Sequence, residues 1–509
     1  MSVPHGTDRQ DQQDLAQFGY EQSLERTTGK FGSFAVAFAF VSIATGIFTT
    51  YGSVLNSSGP AGIWTWPFVI VGQLAVAAIL GSLSARIPVT GYAYQWTSRL
   101  ASPVLGWIIG WISFTFLAIV VVAVDYTIAS TVLPVLLDYK ATGAITASIT
   151  ALVIAGQALL AGTSTRWAEK VNNAAVSAEL VGMVALVLLL LVVAAVRGRT
   201  DVSNLFSTGA VPHDGYLAFG DLTHAGPWML GFLLGAFTIV GFESAANLAE
   251  ETHHPERVVP RAMLQAVLAS GVLGFLFLVA VTLAAGDPIK LAKSGTPIAD
   301  VIHDTLGGVV STLLLVLVVV AIFACGLVIM MTGVRLIWAM SRDERFPGWE
   351  HWHQVSDRFH TPLRATVLYF VLAEAILLIS TKSEDMLFTL FGAATLLPAV
   401  IYAATLVLFM VKRHRIPASK HFDLGRWETP IIVVASLWLL FELSLFRDVS
   451  FKDAWIYVLV MTAIGAAYLA SLLARKGVRG LAMPDMHSID AVFEEVAHED
   501  GHPGEGTHR

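Results

Sequence analysis

Apolar stretches of about 20 residues, the length of a helix that crosses the hydrocarbon core of a bilayer, recur about twelve times along this chain. They begin near Phe34, Ile63, Val104, Ala144, Val171, Trp228, Ala262, Val309, Ala365, Met386, Thr429 and Ala454. The composition agrees, because 55% of the residues are hydrophobic and only 14% are charged. The sequence therefore predicts an all-α protein that crosses the lipid bilayer with about twelve transmembrane helices.

The distribution of basic residues predicts the orientation. With the N-terminus inside, 23 of the 31 Lys and Arg residues fall in inner segments. The outer segments hold Lys140, Arg197, Arg199, Lys290, Lys293, Lys382, Arg447 and Lys452. Under the positive-inside rule, this excess places both termini in the cytoplasm and predicts a plasma-membrane protein.

Several other classes of protein have no support in the sequence. The net charge of -7, with much of the acid in a C-terminal tail, offers no basic surface for nucleic acid. All histidines fall in tails or loops and no GxxxxGK[ST] motif occurs, so we expect no intramembrane metal site, no cofactor and no ATP-driven transport. The single cysteine, Cys325, excludes a disulfide within the chain.

Two of the predicted spans carry small and polar residues at mid-length, which indicates interrupted helices. The first span contains Ser42, Thr45 and Gly46, and the sixth contains Gly241 and Glu243. Ordinary packing glycines are the alternative.

The two unusual spans are five spans apart, which suggests that the chain contains two copies of a five-span unit. Because five is an odd number, the second copy would begin on the opposite side of the membrane from the first, and the repeat would be inverted. The predicted organisation is an N-terminal cytoplasmic tail (1–32), a five-span repeat (33–196), an inverted second repeat (228–411), two further spans (429–474) and a disordered cytoplasmic tail (475–509).

The third and eighth predicted spans occupy corresponding places in this repeat, and both are longer than a perpendicular crossing requires, which indicates tilted helices. Paired interrupted helices in corresponding halves are the best sequence indicator of a transporter site near the middle of the bilayer.

Three motifs resemble those of the amino acid, polyamine and organocation permease superfamily. They are LGSLSARIPVTGYAYQW (80–96), GFESAANLAEET (241–252) followed by PERVVPRAM, and IWAMSRDERFPGW (337–349) followed by TPLRA. The similarity extends over about residues 31–473, and it is greatest to the branch that handles amino acids, choline and 4-aminobutyrate. The resemblance implies the LeuT-type fold, a 5+5 inverted repeat with helices 1 and 6 interrupted.

A broken helix leaves free N–H groups on one half and free carbonyls on the other, which suits a zwitterion. The first break is predicted to hold a carboxylate, and the second an ammonium with Phe242 over the ligand. The candidate substrate-binding residues are Ser42, Ile43, Ala44, Thr45, Gly46, Asp125, Tyr126, Gly241, Phe242, Glu243, Ser244 and Ala245. For Asp125, an interhelical hydrogen bond is an equal alternative to substrate contact.

Two acids inside the predicted spans suggest proton coupling, because an intramembrane carboxyl is by default a functional candidate. Glu243 lies at the second break, and Glu179 lies on the fifth span after Asn172 and Asn173. Some members of the superfamily resemble this chain around that Asn pair but carry a lysine where Glu179 stands, and here the charge is reversed. Either acid could instead be a structural acid held by a neighbouring helix, and Glu250, Glu251 and Arg257 are predicted to act as gating residues.

The predicted function is a secondary active transporter that imports a small amino acid or related amine together with a proton by alternating access. The alternatives are a permease for choline, 4-aminobutyrate, polyamine or ethanolamine, a substrate exchanger, and a sodium-coupled carrier. An intramembrane enzyme with Glu243 and Glu179 as an acid–base pair is the rival from a different class. No nucleophile or cofactor motif supports such an enzyme.

Overall fold

The computed structural model describes residues 15–380, 384–414, 419–477 and 481 of the chain. Most of these residues are helical, the connection over 207–226 is irregular, and no strand occurs among them, which confirms the predicted all-α class. The greater part of the predicted C-terminal tail, 475–509, lies outside the described residues.

The helices are named here in chain order. They are α1 (Lys30–Val41), α2 (Ile43–Ser57), α3 (Trp66–Arg86), α4 (Tyr92–Leu100), α5 (Pro103–Thr127), α6 (Gly143–Thr163), α7 (Thr165–Val196), α8 (Pro227–Thr238), α9 (Ser244–Asn247), α10 (Pro255–Ala284), α11 (Pro297–Leu306), α12 (Gly308–Arg342), α13 (Leu363–Ser380), α14 (Glu384–Lys412), α15 (Glu428–Leu445) and α16 (Lys452–Lys476). Shorter helical turns lie at Pro60–Thr65, Ile128–Val132, Leu133–Leu137, Val202–Phe206, Ala249–Glu251, Pro288–Leu291, Trp349–Trp352, Gly425–Trp427 and Val449–Phe451.

Eleven helical segments of the described chain are long and apolar enough to cross a membrane. Where the sequence predicts the sixth span, the structure has the shorter apolar helix α8. The most apolar stretch of Lys30–Ser57 is 89% buried, whereas that of Val449–Lys476 is only 22% buried. The first segment is therefore central, and the last presents a large apolar surface that suits lipid contact.

Both predicted interruptions are present. Helix α1 ends at Val41 because Ser42 adopts φ 32° and ψ 94°, and the Ser42 side chain then caps α2 by accepting from the Thr45 N–H. Helix α8 ends at Thr238, and the chain passes through Gly241 at φ 80° before α9 begins at Ser244. The third and eighth predicted spans both measure 35 residues, Pro103–Leu137 and Gly308–Arg342. The inverted symmetry of the two halves stays a prediction.

The two interrupted helices touch at a glycine. A methyl group on Gly46 of α2 would lie 2.2 Å from the Thr238 hydroxyl at the end of α8. Only glycine allows the two backbones to approach this closely, because any Cβ would overlap Thr238. Gly46 thus has a packing function, and larger side chains there would displace the half-helices.

The segment 15–29, which the sequence indicates only as a polar tail, packs against one end of the bundle. Leu15, Phe18, Tyr20 and Leu24 are buried there. The same end carries the N-terminus of α1 and the C-termini of α3 and α12, with Arg86 and Arg342, and is called the basic end below.

Candidate substrate site

The first break is occupied by an acid of the chain itself. The Ala44 N–H and the Ser42 hydroxyl both donate to Oε1 of Glu179, each at 3.4 Å. Ser42 Oγ also accepts from the Thr45 hydroxyl, at 2.7 Å, and from the Thr45 N–H. The N-terminus of α2, where the sequence predicts a substrate carboxylate, is therefore already in contact with the carboxyl group of Glu179.

One carboxyl oxygen of Glu179 accepts hydrogen bonds, and the other has no hydrogen-bond partner. Its side chain is only 3% exposed, and Oε2 is buried without a hydrogen-bond partner. The side chain lines a narrow cavity between α7 and α12, formed with Ala44, Gly182, Met183, Leu186, Leu314, Leu317, Val318 and Ala321. A buried carboxyl oxygen without a partner is costly unless the group binds a proton, a water molecule or a ligand.

The second break is organised around a tyrosine that sequence reasoning missed. The Tyr402 hydroxyl of α14 donates to Oε2 of Glu243 at 2.6 Å and accepts from the Gly241 N–H at 3.0 Å. The ring of Phe242 stacks on the ring of Tyr402 at 5.4 Å between centroids. The only sequence signal was one tyrosine within the apolar run PAVIYAATL. The structure thus places Phe242 against α14.

The other predicted residues of the second break contact α1. The Ser244 hydroxyl donates to the carbonyl oxygen of Val36 at 3.3 Å, and Ala245 is buried beside it. The ring of Phe40 lies directly over Gly241. The two breaks are therefore packed against each other. Glu179 is hydrogen-bonded to the first break, and Glu243 belongs to the second and is hydrogen-bonded to Tyr402.

Asp125 of α5 forms an interhelical hydrogen bond. Its Oδ1 accepts from the Gln157 amide of α6 at 2.8 Å, while Oδ2 is buried without a hydrogen-bond partner. Gly326 of α12 lies so close that a Cβ there would stand 2.3 Å from Asp125 Oδ1. Asp125 thus joins three helices, and Tyr126 beside it is partly buried against the core.

Two largely buried ion pairs close the basic end. Arg342 donates to both oxygens of Glu250, at 2.9 and 3.1 Å, and Arg335 donates to both oxygens of Glu251, at 2.7 and 3.4 Å. These arginines are seven residues apart on α12, so both project from one face of the helix. Arg257, the third residue with a predicted gating role, has its guanidinium 3.5 Å from the ring of His421, and its gating role stays a prediction.

The N-terminal segment contacts one of these ion pairs, and the GYAYQW motif is bonded to the chain beside them. The Arg342 guanidinium lies 3.6 Å from the ring centroid of Tyr20, and the Tyr20 hydroxyl donates to Asp343 at 2.8 Å. Burial, followed by the negative charge of Asp343, raises the pKa of Tyr20 to about 12, which keeps this donor protonated. The Asn247 side chain accepts from the Gly91 N–H and donates to the carbonyl of Thr332.

Comparison with known proteins agrees with this architecture. The family model described as amino acid permease matches residues 31–467. The chain belongs to the amino acid permease family. The permease is 26% identical to the amino-acid permease BAT1 homolog of Oryza sativa subsp. japonica, over 90% of this chain and 92% of that protein. It is 26% identical to the amino-acid permease BAT1 of Arabidopsis thaliana (84% and 86% covered) and 22% identical to the thiamine transporter thi9 of Schizosaccharomyces pombe (86% and 80%).

The permease contains one more buried acid, which sequence reasoning also missed. Glu442 of α15 is fully buried, and both of its carboxyl oxygens have no hydrogen-bond partner. One turn away on the same helix, Trp438 packs over Gly72 of α3. Glu442 lies outside both helix breaks, and its only sequence signal was a single acid in the run SLWLLFELSLF.

Replacement of Tyr402 by Phe tests the second break. We expect this change to weaken substrate binding and transport by about 10-fold or more. Two hydrogen bonds of about 1 kcal/mol each are lost, and the buried carboxyl of Glu243 loses its tyrosine donor. Tyr51→Phe is the matched control, since it removes a buried hydroxyl that is hydrogen-bonded to Thr282, at 2.9 Å, away from Glu243. Equal transport losses in the two variants would show that Tyr402 serves only the packing. Initial uptake rates and melting temperatures distinguish these outcomes.

Proposed function

We propose that this permease is a secondary transporter that imports a small amine-bearing solute together with a proton. Membership of the family indicates a multi-pass transporter of amino acids or amines. The relatives named above span amino acids and thiamine, so the relationship leaves the substrate class open. The observation that carries the proposal is the presence of a buried carboxyl group at each helix break. Glu179 accepts from the Ala44 N–H at the first break, and Glu243 at the second break accepts from the Tyr402 hydroxyl.

The proposed direction is based on the charge distribution. The basic end faces the cytoplasm under the positive-inside rule. A cavity of about 210 Å³ on the other side of the breaks then opens the route from outside. It is lined by a row of hydroxyls from α2 and by apolar side chains of α8 and α14, which include Thr49, Thr50, Ser53, Ser57, Leu234, Phe237 and Phe391.

We propose alternating access in which α1–α3 and α8–α10 move against α5–α7 and α12. The two buried ion pairs support this division, because Glu250 and Glu251 follow α9 while Arg342 and Arg335 belong to α12. Each pair therefore crosses the boundary between the two groups. In this proposal, opening of the basic end requires both pairs to separate, which supports the gating role predicted for Glu250 and Glu251.

Glu179 is the proposed proton carrier, and Glu243 is the proposed substrate or gate residue. Burial disfavours an ionised carboxyl, so each acid binds a proton more readily when its surroundings close and releases it when water enters. Sodium coupling, the alternative, needs oxygen ligands. The middle of α12 carries Ala324, Cys325 and Gly326 beside α1, and the Cys325 thiol donates to the carbonyl of Phe40.

The test of proton coupling is uptake into proteoliposomes under an imposed pH gradient in sodium-free buffer. Wild type is expected to concentrate substrate when the outside is acidic, and Glu179→Gln is expected to equilibrate it without accumulation. A Glu179→Gln variant with unchanged accumulation and pH dependence would identify Glu179 as a structural acid. A wild type that requires sodium would contradict proton coupling, and recovery of chemically altered substrate would favour an intramembrane enzyme.

A further inference from the structure

We propose that the substrate site selects an organic amine that carries no carboxylate, because Glu179 supplies from within the chain the carboxyl group that would otherwise come with an amino acid. This inference rests on the proposed transport function and narrows its substrate class. It differs from the zwitterion site that the sequence predicts.

The first step concerns the N–H donors of the first break. By helix geometry, the N–H groups of Ile43, Ala44 and Thr45 have no partner within α2. Thr45 N–H is bonded to Ser42 Oγ, and Ala44 N–H is bonded to Glu179 Oε1. Two of the three donors that could hold a substrate carboxylate are therefore already engaged by side chains of the protein.

The second step concerns the geometry around Glu179. The carboxyl is held by two elements, the Ala44 backbone and the Ser42 hydroxyl, and Ser42 is in turn fixed by Thr45. The other oxygen, Oε2, is buried and has no hydrogen-bond partner. An acceptor in this state suits a ligand that donates, such as an ammonium group, and offers nothing to a second carboxylate.

The third step concerns the charge of the surroundings. Three acids, Asp125, Glu179 and Glu243, are buried around the two breaks. The arginines of the described chain that are less than 10% exposed are Arg86, Arg99, Arg335 and Arg345, and the partly exposed Arg342 is paired with Glu250. Arg335 is paired with Glu251, and the other three bond residues at the basic end. The site is therefore rich in acid and poor in compensating cations.

These three steps favour a cationic ligand over a zwitterion. An ammonium group would supply the donors that Glu179 and Glu243 can accept, and it would offset their charge. The carboxylate of an amino acid would have to displace Glu179 from Ala44 or lie against it, and the juxtaposition of like charges is costly. Displacement of Glu179 by the substrate carboxylate is the competing mechanism.

The experiment compares amino compounds that differ by one carboxyl group. The pairs are lysine and 1,5-diaminopentane, arginine and agmatine, and 4-aminobutyrate and propylamine. Binding to the purified full-length permease is measured as the concentration that gives half-maximal thermal stabilisation, and uptake is measured in proteoliposomes. In the pair whose size fits the site, we expect the compound without the carboxyl group to bind at least about tenfold more tightly than its carboxylated partner.

Variants of Glu179 test the cause of this preference. Glu179→Gln keeps the shape but removes the charge, and Glu179→Ala also frees the Ala44 N–H. Both changes should weaken binding of the amine, and Glu179→Ala should strengthen binding of its carboxylated partner, so the preference falls or reverses. If Glu179 had only a structural role, its replacement would weaken the binding of both compounds equally. Glu442→Gln, which neutralises a buried acid outside the breaks, is the control and should leave the ratio unchanged.

The outcomes separate the two proposals. If wild type transports the carboxylated member of a pair better than the amine, the selectivity proposal is wrong while the transport function stands. A preference for the amine that is the same in wild type and both Glu179 variants would also overturn it. If no amine of either kind binds or is transported, the proposed function itself fails.

Discussion

Alanine in place of Gly241 is expected to destabilise the permease by roughly 2–5 kcal/mol and to abolish transport. Gly241 has φ 80°, a conformation that strains any residue with a side chain. An added Cβ would also lie 1.8 Å from the ring of Phe40, so α1 and the second break would have to separate. The Gly241 N–H bond to Tyr402 would be displaced with them.

Gly286→Ala is the control for this variant. Gly286 has φ 63°, and no atom lies within 4 Å of the place where its Cβ would stand. Alanine at this position therefore causes backbone strain of about 1–2 kcal/mol without a steric collision. Thermal unfolding in detergent and initial uptake rates compare the two variants. Similar losses in both would mean that the contact between Phe40 and Gly241 contributes nothing beyond the strain.

Replacement of Arg335 by Met is expected to destabilise the permease by about 3–5 kcal/mol, because the change leaves Glu251 buried and unpaired. The Arg335 side chain is fully buried and that of Glu251 is 1% exposed. The Glu251 carbonyl also accepts from the N–H groups of Thr27 and Thr28, so the loss should spread to the N-terminal segment. A lower melting temperature and faster proteolysis after residue 15 are the measurements.

The double variant Arg335→Met with Glu251→Gln separates the ion pair from the packing. Because removal of both charges eliminates the buried unpaired carboxylate, we expect the double variant to recover much of the stability that Arg335→Met loses. If the changes in unfolding free energy of the two single variants simply add in the double variant, Arg335 and Glu251 are not energetically coupled and the loss reflects packing alone. Uptake should remain impaired, because the closed basic end lacks one of its two boundary-crossing pairs.

The sequence was informative where the signal is local. Apolar stretches give the helices, and small or charged residues inside them, such as Ser42 and Glu243, mark both interruptions. These predictions succeed because a helix break depends mainly on the residues at the break itself. The acidic character of the site was visible for the same reason, since each intramembrane acid stands out against its apolar neighbours.

The contacts between helices were not predictable from such local patterns. The sequence indicated a gating role for Glu250 but not its partner, because Arg342 lies 92 residues away on α12. The rotation of each helix decides which side chains meet, and apolar helices carry little information about rotation. The same limit hid the Tyr402 contact with Glu243 and the bond between Ala44 and Glu179.

The two ends of the permease differ in how much must be broken to open them. At the basic end, Glu250 and Glu251 are held by arginines, and residues 15–29 cover the junction, whereas the other side already contains a cavity of about 210 Å³. Apparent affinity is the intrinsic affinity reduced by the fraction of molecules in the competent state. If the form with a closed basic end predominates, a solute approaching from the cavity side would meet molecules ready to bind, while one approaching the basic end would meet a minority form. The same site would show two affinities, one for each face of the membrane.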